Sequence, residues 1–232
     1  MSTIAENSAA IRARIDAAAR TTGRTGADIT LVAATKMNDA ARVREAVAAG
    51  IDACGENRVQ EMTEKLAQDA YTGAPLHFIG HLQRNKVKQV VGKVALIQSV
   101  GSMELLEEIE KVAAREQLVQ DILLEVNIGR EEAKSGFDPD AVTAAAEAAL
   151  SLPHVRVRGL MTIPPADADR DANMRYFQEV QALYVDINTK LFHNELKCLS
   201  MGMSGDYMDA IRCGATMVRV GTAIFGARNY NI

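Results

Sequence analysis

Cysteine is scarce in this sequence, and its few copies stand far apart. Only three occur, at Cys54, Cys198 and Cys213, an odd number without any C-x-x-C spacing. Disulfide frameworks need paired cysteines, and zinc sites need closely spaced ligands. We therefore expect no disulfide scaffold and no metal site, and we expect free thiols of the kind that a reducing cytoplasm maintains.

Long apolar runs and an excess of basic residues are also missing. No stretch approaches the roughly 20 apolar residues that a membrane-spanning helix requires. Charges run through the first 20 residues, which form an amphipathic helix pattern without the apolar core of a signal peptide. The net charge of −4 gives no electrostatic footprint for nucleic acid. These features predict a soluble, cytoplasmic protein that binds neither membranes nor nucleic acids.

What the sequence does contain is a repeated alternation of short apolar runs and helical stretches. Of its 232 residues 48% are hydrophobic and 24% charged, which predicts a normal packed core. By length and residue type, the apolar runs are typical of buried strands. The predicted strands cover 28–35, 51–56, 76–80, 94–100, 120–128, 155–163, 195–200 and 216–221. The predicted helices that follow them cover 39–49, 58–70, 84–91, 102–117, 139–150, 171–192, 205–213 and 222–226.

Eight such β–α units predict an α/β fold, a single (β/α)8 TIM barrel with an extra N-terminal helix. A doubly wound sheet with fewer strands is the alternative. No Pro/Gly/Ser-rich linker interrupts the series, so residues 1–232 are expected to form one domain. In such barrels, the functional residues lie at the C-terminal ends of the strands.

One lysine stands at such a strand end. The stretch LVAATKMNDA (31–40) closes an apolar run with Thr35 and Lys36, and Asn38 and Asp39 are natural helix caps after it. Lysine is almost never fully buried without a partner. Lys36 therefore either extends its amine into solvent or lies at the mouth of a site.

The loops after strands seven and eight suggest a phosphate site. SMGMSGD (200–206) and VGTAIFG (220–226) place small residues and hydroxyls just before helix starts. Free backbone N–H groups at such positions attract anions, and barrels often bind phosphate there. The candidate phosphate contacts are Ser200, Ser204, Gly221 and Thr222. Ordinary helix capping by Ser204 and Thr222 is the alternative.

A strand-end lysine beside a phosphate site suggests pyridoxal 5′-phosphate (PLP). This cofactor needs a primary amine that forms a Schiff base with its aldehyde, and apolar surroundings or a nearby cation lower the pKa of that amine. Arg219 is a candidate cation near the ring or the phosphate. The alternative is an outward-facing arginine paired with a helix carboxylate. We expect His77, inside a strand, to be a structural histidine.

Several sequence blocks extend this interpretation to nearly the whole chain, from about residue 28 to residue 230. They are TK (35–36), GENRVQE (55–61), HFIGHLQRNK (77–86), KSG (134–136), RGLMTI (158–163) and the block from Leu199 to Tyr230. In order and spacing, these blocks resemble the pyridoxal phosphate homeostasis protein family (the YggS type).

The resemblance implies a fold like the N-terminal barrel of alanine racemase. It implies that Lys36 carries PLP as an internal aldimine, with Asn57 near the ring. It further implies that the phosphate is held around Ser200, Arg219, Gly221 and Thr222. The function it implies is to bind and deliver PLP, and so to buffer vitamin B6, without robust catalytic activity. PLP-dependent apo-enzymes are then possible recipients.

The sequence also bears on catalysis. A racemase needs a second acid/base opposite its lysine, and in the alanine racemase relatives this is a tyrosine from a partner's C-terminal β domain. We expect that domain to be missing, because the sequence ends at Ile232, and nothing places Tyr207 or Tyr230 across from Lys36. A monomer without catalytic residues is therefore expected. Two alternatives stay open: a PLP-dependent amino-acid racemase or lyase, and a barrel for sugar or nucleotide phosphates with Lys36 as a clamp.

Overall fold

The alternation of strands and helices closes into a barrel. In a computed structural model, which describes residues 2–226, eight parallel strands pair in sequence order and β1 pairs with β8. The strands are β1 (Thr30–Ala34), β2 (Ala53–Glu56), β3 (Leu76–Phe78), β4 (Leu96–Val100), β5 (Gln120–Val126), β6 (Val155–Thr162), β7 (Cys198–Ser200) and β8 (Met217–Val220). The predicted barrel is confirmed, and the doubly wound alternative is wrong.

Helices surround the barrel. They are α1 (Ile4–Arg20), α2 (Ala40–Ala48), α3 (Val59–Leu66), α4 (Met103–Arg115), α5 (Val142–Ala149), α6 (Arg170–Leu191), α7 (Tyr207–Arg212) and α8 (Thr222–Phe225). The extra N-terminal helix is confirmed as α1, which starts with a capping box between Thr3 and Glu6. It packs against α2, α7 and α8, beside the β1–β8 closure. No helix within residues 2–226 is long and apolar enough to cross a membrane.

One predicted helix has a different form. The segment predicted as a helix over 84–91 is a 3₁₀-helix over Arg84–Gln89, and only Val87 within it is buried. A helix gains most of its stability from an amphipathic face packed on the core. This polar segment, with its three basic residues, does not supply such a face, so the chain makes only a short, tight turn between β3 and β4.

The interior of the barrel is divided into two layers. The apolar layer consists of Val32, Ala53, Leu96, Leu123, Met161 and Met217. The next inward-facing residues along β4, β5, β7 and β8 are polar, and we call them, with the adjoining histidine, the polar layer: His77, Gln98, Glu125, Ser200 and Arg219. The polar layer lies nearer the C-terminal ends of the strands, which we call the carboxyl edge.

Candidate functional site

Lys36 stands at the carboxyl edge, in a turn two residues beyond the end of β1. The residue is half-buried. Met37, which follows it, has a φ of 60°, a left-handed conformation that is uncommon for a side-chain-bearing residue. The start of α2 is fixed by Asp39, whose carboxylate accepts a hydrogen bond from the Arg42 amide at 2.9 Å. The lysine is therefore held between a strand end and a capped helix.

Gly221 and Thr222 are brought to the same place by the β1–β8 pairing. With Lys36 they line an open cleft of about 1290 Å³ at the edge of the barrel. A Cβ atom at Gly221 would stand 3.3 Å from the Ala34 Cβ, a tight approach. The glycine thus lets the end of β8 come close to the end of β1.

Ser204 occupies the N-terminus of α8. Its Oγ accepts hydrogen bonds from the amides of Gly221 at 3.2 Å and Ala223 at 3.4 Å. The capping alternative is therefore realised for Ser204, although across loops rather than within its own helix. Thr222 is exposed and forms no cap of its own. The two loops therefore bring the hydroxyl groups of Ser204 and Thr222 to one place at the carboxyl edge.

Arg219 points into the barrel, so the outward-facing alternative is wrong. Its guanidinium donates to Ser200 Oγ at 2.6 Å and to the Thr162 carbonyl at 2.8 Å. Burial lowers the pKa of Arg219 to about 10, while the charges of Glu125 and Asp206 oppose that shift. The side chain therefore remains a cation at neutral pH, inside a space with few other charges.

A chain of hydrogen bonds continues from Arg219 across the barrel. Ser200 Oγ donates to Gln98 Oε1 at 2.7 Å, and Gln98 Nε2 lies 3.0 Å from His77 Nδ1. The amide nitrogen of Gln98 is only a donor, so His77 Nδ1 accepts and the ring is neutral. Burial lowers the pKa of His77 to about 4. His77 is thus the structural histidine that the sequence predicts.

Glu125 is a member of the polar layer that the sequence did not single out. It accepts a hydrogen bond from Ser135 Oγ at 3.1 Å. Burial raises the pKa of its carboxyl group, against the lowering effects of Ser135, Arg219 and His81. The signal that could have found it is its spacing, two residues after the inward-facing Leu123 of β5.

Asn57, directly after β2, lies close to the turn that follows β3. A Cβ atom at Gly80 would stand 2.2 Å from the Asn57 carbonyl oxygen, so only glycine fits there. The Asn57 side-chain oxygen Oδ1 is buried and has no hydrogen-bond partner among residues 2–226. A buried polar atom without a partner is costly, and it is often completed by a bound group.

Glu56 does not face the site, although it stands at the end of β2. Its side chain points outward into the layer between the barrel and α3, where Lys65 Nζ lies 2.6 Å from Glu56 Oε1. Strand residues alternate between the two faces, and Gly55 takes the inward position. Tyr207 is 3% exposed, and its enclosed hydroxyl has no hydrogen-bond partner in the described part of the chain. Tyr230 lies outside the described residues.

The predicted site residues form two sets. Lys36, Gly221 and Thr222 share the cleft at the rim, whereas Ser200 and Arg219 are bonded to each other within the barrel. Asn57 stands at the neighbouring strand end. The arrangement defines a class: a (β/α)8 barrel with a lysine amine and hydroxyl groups at its carboxyl edge and a buried cation inside it.

Comparison with known proteins narrows this class. Residues 7–229 match the family described as "Alanine racemase, N-terminal domain". A pyridoxal phosphate homeostasis protein of Pseudomonas aeruginosa is 42% identical over 230 residues, 99% of this chain and 98% of its own length. One of Aquifex aeolicus is 42% identical over 94% of this chain and 95% of its own length. The chain belongs to the pyridoxal phosphate homeostasis protein family.

A solved structure agrees in fold. PipY of Synechococcus elongatus PCC7942, determined with PLP bound, is 32% identical to this chain. It aligns with a TM-score of 0.80 over 93% of this chain and 100% of its own. The resemblance that the sequence blocks predicted is thereby confirmed, as is the barrel of the alanine racemase N-terminal type.

Proposed function

We propose that this protein binds PLP and holds it as a Schiff base on Lys36. The observation that carries the proposal is the placement of Lys36 beside Gly221 and Thr222, at the carboxyl edge of a barrel whose interior holds a buried arginine. The PLP-bound structure of the PipY relative and the names of the curated relatives support it.

The residues present fit this cofactor. An aldehyde calls for an amine, which Lys36 supplies at the rim. A phosphate calls for a cation and for N–H and O–H donors. Arg219 would supply the cation and Thr222 a hydroxyl, and the amides of Gly221 and Ala223, which donate to Ser204 Oγ at 3.2 and 3.4 Å, would turn to the phosphate. The partnerless Asn57 Oδ1 is suited to a ring substituent. Ser200 is fully buried, and its Oγ bonds both Arg219 and Gln98, so we assign it to orienting the arginine.

Lys36 would supply the primary amine for a bond to the PLP aldehyde. That bond would replace the C=O bond by a C=N bond and release one water molecule. PLP supplies an aldehyde that captures amines and a ring that can accept electron density. The chain supplies the orientation of the amine and the charge that retains the phosphate.

We propose a role in holding and releasing PLP rather than in catalysis, with PLP-dependent apo-enzymes as recipients. The racemase alternative requires an acid/base opposite Lys36, and the enclosed hydroxyl of Tyr207 is unsuited to that task. We also propose that the protein acts as a monomer in this role. The cysteines at 54, 198 and 213 are free, as a reducing cytoplasm would keep them.

An absorbance titration tests the binding proposal. Purified protein is mixed with PLP, and the visible band of a lysine Schiff base is followed for the native chain, Lys36→Ala and Lys190→Ala. Lys190 is an exposed lysine paired with Asp186 and serves as the matched control. We expect the band in the native and control proteins and its loss in Lys36→Ala. If the native protein shows no band, the Schiff-base proposal is wrong, and the alternative that Lys36 binds a phosphate by its charge is favoured.

A further inference from the structure

A buried charged network lies directly behind the turn that carries Lys36, on the outer side of β2. Glu56 is completely buried, and its Oε1 accepts hydrogen bonds from three donors. These are Thr35 Oγ1 at 2.6 Å, Lys65 Nζ at 2.6 Å and Tyr71 OH at 3.0 Å. We call Thr35, Glu56, Glu61, Lys65 and Tyr71 the outer network.

The outer network forms hydrogen bonds with the backbone on both sides of Lys36. Before the lysine, the Thr35 carbonyl accepts from Lys65 Nζ at 2.9 Å. After it, the Met37 amide donates to Glu61 Oε2 at 2.8 Å, and that oxygen lies 3.6 Å from Lys65 Nζ. Lys65 therefore contacts the Thr35 carbonyl on one side of Lys36 and, on the other side, the Glu61 carboxylate that binds the Met37 amide.

Burying these charged groups costs more free energy than a purely structural contact would require. Lys65 is 6% exposed, and burying a charged pair often gives no net stability compared with apolar residues of similar volume. The supported turn also contains Met37 in its left-handed conformation, a form of strain that persists only where the surroundings impose it. Such strain concentrates at functional sites, where it fixes geometry.

We propose that Lys65, acting with Glu56 and Glu61, is a positioning residue for Lys36. By fixing the peptide units on both sides, it sets the direction from which the Lys36 amine meets an aldehyde. The inference rests on the proposed function and adds to it a residue on α3 that lies outside the barrel interior and borders the same cleft as Lys36. A misdirected amine loses covalent capture but leaves the groups that hold a phosphate in place.

Two ligands separate positioning from general structural damage. PLP can bond to the lysine, whereas pyridoxine 5′-phosphate carries an alcohol in place of the aldehyde and cannot. Dissociation constants for both are measured on the native protein, Lys65→Met and the exposed control Lys190→Met. We expect Lys65→Met to weaken PLP about tenfold and pyridoxine 5′-phosphate less than about twofold. Equal losses for both ligands, or no loss for either, would overturn the proposal.

A second pair of variants covers the case in which Lys65→Met does not fold. Thr35→Val removes the hydroxyl that bonds Glu56 and the Gly55 carbonyl but leaves the Lys65–Glu56 pair intact. Thr35→Ser restores that hydroxyl. We expect Thr35→Val to weaken PLP selectively and Thr35→Ser to recover the native ratio. If Thr35→Val keeps the native ratio, the positioning role is wrong.

The native protein in the same experiment distinguishes the two proposals. A native chain that binds both ligands equally and shows no Schiff-base band contradicts the proposed function, and the positioning role fails with it. A native chain that prefers PLP, with variants that keep the same preference, contradicts the positioning role alone.

Discussion

The two layers of the barrel interior differ sharply over a distance of two residues along the strands. Leu96, Leu123 and Met217 belong to the apolar layer, and the next inward residues on the same strands are Gln98, Glu125 and Arg219. All six residues are buried, the polar ones as well as the apolar ones. The two layers differ in the interactions that hold them: side-chain packing in the apolar layer and directed hydrogen bonds in the polar layer.

This difference separates the residues that stabilise the barrel by burial from the residues that offer polar groups to a ligand. Apolar side chains contribute by removal from water, and they need no specific partner. The buried charge of Arg219 is tolerable because Ser200 Oγ and the Thr162 carbonyl accept hydrogen bonds from it, and neither acceptor neutralises that charge. The apolar layer should therefore govern unfolding, and the polar layer should govern binding.

The largest effect on stability is expected from the apolar layer. Leu123→Ala removes a fully buried side chain and should lower the free energy of unfolding by about 3 kcal/mol. Leu150→Ala, at a position that is 55% exposed, is the control and should change it by less than about 0.5 kcal/mol. Denaturant unfolding measures both. A loss of PLP affinity in Leu123→Ala below its unfolding transition would contradict the division between the layers.

An intermediate effect is expected from pH, through His77 in the polar layer. Its pKa falls from an ordinary 6.5 to about 4 on folding, so between these pH values the unfolded chain binds a proton that the folded chain does not. The stability from His77 is therefore complete above the unfolded pKa and is lost as the pH falls towards the folded pKa. From pH 7 to pH 5 this group should account for about 2 kcal/mol of lost stability.

His77→Gln isolates that contribution, because glutamine keeps an acceptor for Gln98 but does not titrate. Unfolding free energies of the native protein and the variant are compared at pH 7 and pH 5. The native protein should lose more stability than His77→Gln over this range. Identical losses in both would mean that His77 does not carry the pH dependence.

The smallest stability effect comes from a matched pair of buried serines. Ser200 donates to Gln98 inside the barrel, and Ser99 donates to the Gly80 carbonyl at 2.5 Å outside it. Each change to alanine should cost about 1 kcal/mol of unfolding free energy. Only Ser200→Ala should also weaken PLP, because Arg219 loses its support. If both serine variants bind PLP alike, Ser200 has no special role in orienting the arginine.

The barrel could be predicted from the sequence because each strand and helix is a local pattern. Eight alternating units leave few ways to close a parallel sheet. The 3₁₀-helix at Arg84–Gln89 escaped prediction, since local polarity alone does not distinguish it from a solvent-exposed α-helix. Several predicted elements extend beyond the observed ones. The strand predicted over 28–35 is an example, because β1 covers only Thr30–Ala34.

The site was predictable only in part. Lys36, Gly221 and Thr222 were found because strand ends in a barrel meet at one edge. The outer network was missed, because Glu56 and Lys65 belong to different elements and meet only once α3 folds back on β2. The chain of hydrogen bonds from Arg219 to His77 was also missed. One of its bonds joins Ser200 to Gln98, which lie 102 positions apart in the sequence. No local pattern contains such a contact.

The most direct test of the proposed function is to look for a covalent bond between the protein and PLP and to locate it in the sequence. The native protein is mixed with PLP, reduced with borohydride, digested and analysed by mass spectrometry. The account predicts one reduced adduct on the peptide that contains Lys36, and none on the peptide that contains Lys65, the buried lysine of the outer network. An adduct at Lys65 or on surface lysines alone, or no adduct, would contradict the claim that the barrel places Lys36 to hold the cofactor.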